Sequence, residues 1–499
     1  MADANLTRQG SDAKAPPTID IRPVANIIGW LLIALGAIML VPLTVDLFTG
    51  SQDWRVFLLS AFVTMVAGGL VTLATANAQG ASLNLRQSFL LTALSWVVLP
   101  LFGALPLQLG LDHVGLTDAL FEAMSGLTTT GATVLEGLDT MPPGIQLWRS
   151  ILQWLGGLGI VLVALIFFPV MKVGGMQHFR SEGFDTMGKV LPRAADISWM
   201  LLQIYAGLTV LCATAFLMTG MSAFDAINHA LSTLSTGGFS TRDSSFTNYS
   251  ATAHWVCVLF MWLAGLPFIR YLQFINGSYR PLFADLQVRA YFRWTLYAIA
   301  SVLAFRLLRE DGDIEGILRE TAFNVVSTFS GTGFSSGDVT LWGDFPILVL
   351  IVTGFIGACT ASTGCSIKVF RYLVLFEAIK AQLKQLVYPN RVIPLHLDGR
   401  RLDEEVVVSV VVMFTAFVVG FGVLTVLLSL SGLEMRTAFT AAWTSICNVG
   451  PAWGVEVGPT GAMHQFPALS KWLMIGAMLL GRLEMVAVLV LVLPRFWRG

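Results

Sequence analysis

The chain has 499 residues, 55% of them hydrophobic and 12% charged, with a mean hydropathy of +0.73 and a formal net charge of −1. A soluble domain carries about 25% charged residues, so the composition excludes a soluble globular protein and points to a multi-span membrane protein. The net charge says nothing about nucleic acid, and no basic, aromatic-interleaved face suggests it as a partner.

In chain order, residues 1–21 are polar and proline-containing and lack the apolar core and small-residue cleavage site of a secretory signal. They read as a cytoplasmic tail. Hydropathy then gives roughly ten stretches of the ~20 residues that a membrane crossing needs. Val24–Phe48 and Val56–Ala76 are the first two, and Gln87–Leu107 opens a unit that recurs: span, short amphipathic helix, glycine loop, span. The first unit has its short helix near Thr117–Leu127 and its second span near Leu147–Phe168. The second has spans Ile197–Thr219 and Ala253–Leu272 around a short helix at Ser222–Leu234. The third has Ala290–Leu307, a short helix at Glu315–Phe329 and an interrupted span from Phe345 to Val387. The fourth has Val406–Ser429, Glu434–Ser445 and Ala468–Leu493. The short helices cannot span and must be re-entrant or interfacial. The expected division is 1–21 tail, 22–86 two extra spans, 87–196 repeat 1, 197–289 repeat 2, 290–404 repeat 3 and 405–499 repeat 4.

The loops carry the signal. Gly126–Val134 reads GLTTTGATV, and Gly131 aligns with Gly238 in TGGF, Gly333 in GTGF and Gly450 in NVGP. At the sixth position before these glycines stand Ser125, Ser232, Ser327 and Thr444. At the thirteenth stand Asp118, Asp225, Glu320 and Thr437. Non-helical backbone at membrane depth is tolerated only where protein buries it or it lines a watery cavity. Four such loops converging on one axis satisfy that condition and supply a ring of carbonyls able to replace a cation's hydration shell. Glycine permits the left-handed backbone that aims carbonyls inward. The short helices would point their partially negative C-terminal ends at the ring, favouring a cation, with the acids complementing the opposite ends.

Basic residues fall on alternate connections: Arg86; Lys172, Arg180, Lys189 and Arg193; Arg280 and Arg289; Lys380, Lys384, Arg391, Arg400 and Arg401; Arg495 and Arg498. The positive-inside rule places these connections and both termini in the cytoplasm and the glycine loops outside. Five cysteines (Cys212, Cys257, Cys359, Cys365, Cys447) fit neither a zinc spacing nor a disulfide framework and read as small packing residues. The six histidines match no metal spacing. No HExxH, paired intramembrane carboxylates or P-loop suggests an enzyme or a nucleotide site.

These motifs, with STGCSIKVFR at Ser362–Arg371 and GRLE at Gly481–Glu484, resemble the TrkH/TrkG branch of the bacterial Trk/Ktr/HKT potassium transporter superfamily. The resemblance runs from about Gln87 to the C-terminus, and the two extra N-terminal spans favour that branch. It implies an all-α membrane protein of four span–pore-helix–span repeats in pseudo-four-fold arrangement, acting in potassium uptake at the bacterial inner membrane. Gly131, Gly238, Gly333 and Gly450 match the filter glycines, a full set of which goes with K⁺ preference. Thr129 and Thr130, Thr236 and Gly237, Gly331 and Thr332, and Asn448 and Val449 match the positions whose carbonyls ligate K⁺. Gly357, Ser362, Thr363 and Gly364 match an intramembrane gating loop, Lys368 the basic residue at its end, and Arg482 a pore-facing arginine that obstructs cations. K⁺ is then the transported ion, with no organic cofactor. The implied partners are a second copy of the chain, membrane lipid and a cytoplasmic TrkA-like nucleotide-binding regulatory subunit. Cys365 departs from the glycine frequent at its position, and Ala264-Gly265-Leu266-Pro267 from a run of small residues.

Blander readings stand beside these. Arg482 could snorkel or pair with Glu484, and Lys368 could be a boundary lysine. Gly156, Gly157, Gly265 and Gly481 read as close helix packing. A sodium or mixed Na⁺/K⁺ pathway of the same architecture is the alternative function.

Overall fold

A computed structural model describes residues 19–80, 83–166, 194–391, 393–397 and 399–498. Most of the predicted N-terminal tail, and the basic connection from Lys172 to Arg193, lie outside the described residues. Among the described residues the fold is all-α apart from a two-residue antiparallel pair, His396–Leu397 with Arg400–Arg401.

Helices α1 (Arg22–Ile38) and α2 (Leu40–Thr49) form one crossing, and α3 (Trp54–Ala74) returns beside it. Glycines let the two backbones touch: a Cβ on Gly68 would lie 2.6 Å from Gly29 O, and one on Gly36 3.0 Å from Ala61 O. Close approach through small residues is how helices associate where lipid supplies no hydrophobic drive. The buried Asp46 carboxylate of α2 accepts the Gly144 N–H at 2.7 Å, fastening this pair to the first repeat.

In repeat 1, α4 (Leu85–Gly103) and α5 (Leu105–Gly110) lead to the short α6 (Leu116–Leu127) and the unbroken α7 (Pro143–Ile166). An Asn84–Gln87 capping box starts α4 by satisfying end groups reciprocally. Repeat 2 contains α8 (Ala194–Met218), α9 (Ala223–Leu234), α10 (Ala251–Ala264), α11 (Phe268–Ile275) and the short α12 (Arg280–Ala284). Repeat 3 contains α13 (Leu286–Leu307), α14 (Ile314–Ser330), α15 (Asp344–Ile356) and α16 (Val369–Val387). Repeat 4 contains α17 (Glu404–Leu430), α18 (Met435–Cys447), α19 (Ala468–Arg482) and α20 (Met485–Val492), followed by α21 (Pro494–Arg498). The four short helices match the expected boundaries to within two residues.

Of the roughly ten expected spans, one is expected to be interrupted, and the structure breaks two more. Among the described residues, six helices are long and apolar enough to cross a membrane, or seven if one bent pair is included. The difference has a physical cause: the second spans of three repeats are broken. Ala253–Leu272, expected as one helix, bends by 93° between α10 and α11, where Pro267 has no N–H to continue the ladder. Phe345–Val387 breaks between Gly357 and Lys368, as expected. Ala468–Leu493 breaks at Glu484, whose φ is +57°. Helix α13 is long enough to span but carries Arg289, Arg293 and Arg306.

Candidate functional site

Each short helix ends at its glycine loop with one backbone pattern. Thr129, Thr236, Gly331 and Asn448 have φ of +52°, +52°, +80° and +52°. Two residues on, Gly131, Gly238, Gly333 and Gly450 have φ of +83°, +82°, +83° and +113°. The residues between them, Thr130, Gly237, Thr332 and Val449, do not share the positive φ. Alternating hands turns successive carbonyls to one side of the strand. For a β-branched threonine a positive φ is an outlier that persists only where the surroundings over-determine it. Thr129 and Thr236 are both of this kind.

The hydroxyl column has a backbone role. The N–H groups of Thr130, Gly237, Thr332 and Val449 donate to the carbonyls of Ser125, Ser232, Ser327 and Thr444 at 2.9, 2.8, 2.8 and 3.1 Å. Four identical bonds fold each strand back over the C-terminal end of its helix. The side chains do different things. Ser327 Oγ donates to Phe334 O at 2.6 Å, whereas Thr444 Oγ1 accepts the Gly450 N–H at 2.7 Å.

The four strands close on one another in cyclic order. A Cβ on Gly131 would lie 2.1 Å from Gly237 O, on Gly238 2.0 Å from Thr332 O, and on Gly333 1.9 Å from Val449 O. On Gly450 it would lie 2.9 Å from Thr130 O. Each glycine therefore faces the carbonyl of the next repeat's middle residue, and the fourth returns to the first. The twelve loop residues named from the sequence lie in these four strands, and the middle residue and glycine of each make the cyclic contacts. Carbonyl oxygens so arranged can substitute for the water around a bare cation.

Beneath the ring lies the segment between α15 and α16. Gly357, Ala361, Ser366 and Lys368 are left-handed, with φ of +71°, +60°, +71° and +76°. A Cβ on Gly364 would sit 2.6 Å from Ser330 O, so the segment touches the foot of the third loop. Ser362 Oγ donates to Cys359 O at 2.7 Å and Thr363 Oγ1 to Ala264 O at 3.1 Å. The Cys359 N–H donates to Gly265 O at 3.0 Å, and the Phe268 N–H to Ala361 O at 2.9 Å. These bonds account for the bend in repeat 2: the groups that a continuous helix would consume instead hold the segment.

Arg482, 2% exposed, joins this segment to repeat 1. Its guanidinium donates to Thr363 O at 3.1 Å, to Cys365 Sγ, and to Gly156 O at 3.1 Å. Pairing of Arg482 with Glu484 is not what the structure has: Glu484 lies 2.6 Å from Arg371. Lys368 is buried rather than at a boundary. Cys365, expected to be a packing residue, is also a partner of Arg482.

Helix packing explains the other glycines. A Cβ on Gly156 would lie 1.8 Å from Leu127 O, and one on Gly481 2.2 Å from Ile446 O, both at the end of the same repeat's short helix. Backbone cannot yield as a side chain can. Gly156→Ala is expected to cost about 3 kcal/mol or more through overpacking, seen as a lower thermal midpoint in detergent and a smaller monodisperse fraction. An unchanged midpoint would contradict the contact.

The acid column is partly corrected. Asp118 and Asp225 lie in the first turns of α6 and α9, where they complement the dipole. Glu320 does not, because α14 starts earlier, with Asp313 capping the Gly316 N–H at 3.1 Å. All three acids are ion-paired: Lys471–Asp118 at 2.6 Å, Arg242–Asp225 at 3.2 Å and Arg306–Glu320 at 2.9 Å. At the fourth position the Thr437 hydroxyl donates to the Glu456 carboxylate. Burial pushes Glu456 up, but that bond and the Glu434 N–H outweigh it and hold the carboxyl below its ordinary range.

One column escaped the sequence reading. At the ninth position before the ring glycines stand Glu122, His229, Asn324 and Ala441. Glu122 accepts the Val134 N–H at 3.0 Å, His229 Nε2 lies 3.1 Å from Ser240 Oγ, and Asn324 Nδ2 donates to Ser336 Oγ at 2.8 Å. Each pins the strand leaving the ring. In repeat 4 the neighbour Thr440 does so, donating to Trp453 O at 2.8 Å. Polar residues recurring at one position of otherwise apolar helices were the available signal.

Comparison with known proteins gives the family. Residues 54–306 and 312–498 match the TrkH family, described as a cation transport protein. The chain is 37% identical over 478 residues to the Trk system potassium uptake protein TrkI of Halomonas elongata, covering 95% of this chain and 97% of that one. It is 35% identical over 485 residues to the Trk system potassium uptake protein TrkH of Escherichia coli, covering 96% and 99%. The crystal structure of the potassium transporter TrkH from Vibrio parahaemolyticus superposes with a TM-score of 0.88 at 31% identity, over 96% of this chain and all of that one. The chain is a multi-pass membrane protein and belongs to the TrkH family of cation transport proteins.

Proposed function

We propose that this chain takes up potassium ions through the ring of four glycine loops. The observation that carries the proposal is the cyclic contact of each ring glycine with the next repeat's carbonyl, which requires four strands around one axis. The potassium uptake named for its relatives supports the choice of ion. In this reading Thr129, Thr130 and Gly131, Thr236, Gly237 and Gly238, Gly331, Thr332 and Gly333, and Asn448, Val449 and Gly450 form the filter. A dehydrated K⁺ is held there by carbonyls at the negative ends of α6, α9, α14 and α18.

The segment with Gly357, Ser362, Thr363, Gly364 and Lys368 is the gate. It blocks the path below the filter while Arg482 both latches it and places a positive charge beside it. The repeats divide at 87–196, 197–289, 290–404 and 405–499. The protein works as a homodimer in the inner membrane with both termini cytoplasmic, and a TrkA-like nucleotide-binding subunit docks on the basic inner connections.

The test is ⁸⁶Rb⁺ uptake into proteoliposomes of the purified protein with competing cations. K⁺ is expected to suppress uptake at concentrations at least tenfold below those at which Na⁺ does. Equal competition by Na⁺ would replace this reading with the mixed-cation one.

A further inference from the structure

The four strands of the ring are not held alike. Gln146, Arg149 and Gln153 of α7 are spaced by three and four residues and so share one helix face. All three are buried, with Gln153 fully so. This face grips the second repeat's strand. Gln153 Nε2 donates to Gly237 O at 2.6 Å, and its Oε1 accepts the Phe239 N–H at 3.1 Å. Arg149 Nη1 donates to Ser240 O at 3.2 Å, with the guanidinium 4.2 Å over the Phe239 ring. Gln146 Nε2 donates to Leu138 O in the segment leaving the first loop and makes a longer contact, 3.4 Å, to Thr241 O.

Glu122 of α6 braces the grip. Arg149 Nε and Nη2 lie 2.8 and 2.7 Å from Glu122 Oε1. The same carboxylate holds Thr133 Oγ1 at 2.9 Å and the Val134 N–H at 3.0 Å in the strand leaving the first loop. Both charged groups are buried and mutually satisfied, the condition under which a buried ion pair is tolerated and its geometry fixed. Two exit strands are thus bolted together through one guanidinium.

Of the four ring carbonyls, Thr130 O, Gly237 O, Thr332 O and Val449 O, only Gly237 O receives a side-chain donor among the described hydrogen bonds. That donor fixes the direction of the oxygen and draws on its electron density, so the ring has one anchored, weakened ligand. The geometry points to the Gln146–Arg149–Gln153 face, braced by Glu122, as the scaffold that positions the second-repeat strand and tunes the cation preference of the ring. The inference rests on the filter reading above. Gln153 and Arg149 are positioning residues.

The experiment compares Gln153→Met, Arg149→Lys and the isosteric Glu122→Gln with the unaltered protein. It measures ⁸⁶Rb⁺ uptake and its inhibition by Na⁺ in proteoliposomes, with thermal midpoints recorded in parallel. Gln153→Met is expected to reduce the preference for Rb⁺ over Na⁺ at least fivefold, with a midpoint within a few degrees of wild type. Arg149→Lys keeps the charge but not the planar fork, and is expected to shift preference in the same direction, as is Glu122→Gln. A wild-type preference in all three, with only the amount of folded protein changed, overturns the inference. Gly131→Ser run alongside separates the two readings. If it shifts preference and the three scaffold variants do not, the filter stands and the scaffold fails. If none shifts preference, both fail.

Discussion

Gly131→Ser is expected to reduce the preference for K⁺ over Na⁺ by tenfold or more while leaving a folded protein. Gly131 has a φ of +83°, and a Cβ there would lie 2.1 Å from Gly237 O. No rotamer relieves that contact, because it involves the first side-chain atom and a backbone oxygen. Either the first strand or the Gly237 carbonyl must retreat, and Gly237 O is already held by Gln153 at 2.6 Å. The first strand therefore moves, widening the ring on one side and adding a hydroxyl that competes for the ion. Overpacking of this kind costs about 1–3 kcal/mol, and a loss of ~1.4 kcal/mol in discrimination is tenfold. The measurement is ⁸⁶Rb⁺ uptake with Na⁺ and K⁺ as competitors. Gly50→Ser is the control, since Gly50 also has a positive φ, +76°, but nothing within 4 Å of its Cβ position. A preference lost equally in both variants would assign the effect to general backbone strain and remove Gly131 from the filter.

How much of this was legible in the sequence depends on the range of the interaction. The short helices and ring glycines could be read because each is fixed by local chemistry repeated four times: apolar helix, hydroxyl residue, glycine. The break at Gly357 could be read because Gly, Ser and Thr cluster there. The bend at Pro267 was harder to read, since Ala264–Pro267 sits in a run whose hydropathy fits a straight span. What stabilises the bend is the distant segment that Ala264 and Gly265 accept bonds from. The true partner of Glu484 was hidden for a similar reason. Arg482 is its neighbour in sequence, but the helix breaks at Glu484 and turns the carboxylate to Arg371 of another repeat. The face of α7 gave no signal at all. Glutamine and arginine inside a 24-residue span read as interruptions to hydropathy, and their meaning depends on which loop lies opposite.

Arg482→Ala is expected to raise basal cation flux at least tenfold in the protein without a cytoplasmic partner. Arg482 bridges Thr363 O and Cys365 Sγ in the segment under the ring to Gly156 O in α7. Hydrogen bonds from a charged group contribute about 1.5–3 kcal/mol each, so losing even one lowers the cost of displacing the segment by enough for a tenfold change. The substitution also removes a buried positive charge from beneath the ring, which in the proposed reading acts in the same direction. Arg482→Lys separates the two effects. Lysine keeps the charge but has no planar fork with which to span two repeats. Low basal flux in the lysine variant with high flux in the alanine variant would show an electrostatic barrier. High flux in both would show a latch, the outcome favoured by bonds that end on two different repeats. An alanine variant with a wild-type thermal midpoint and unchanged basal flux would remove Arg482 from the gate and leave its three bonds as packing alone.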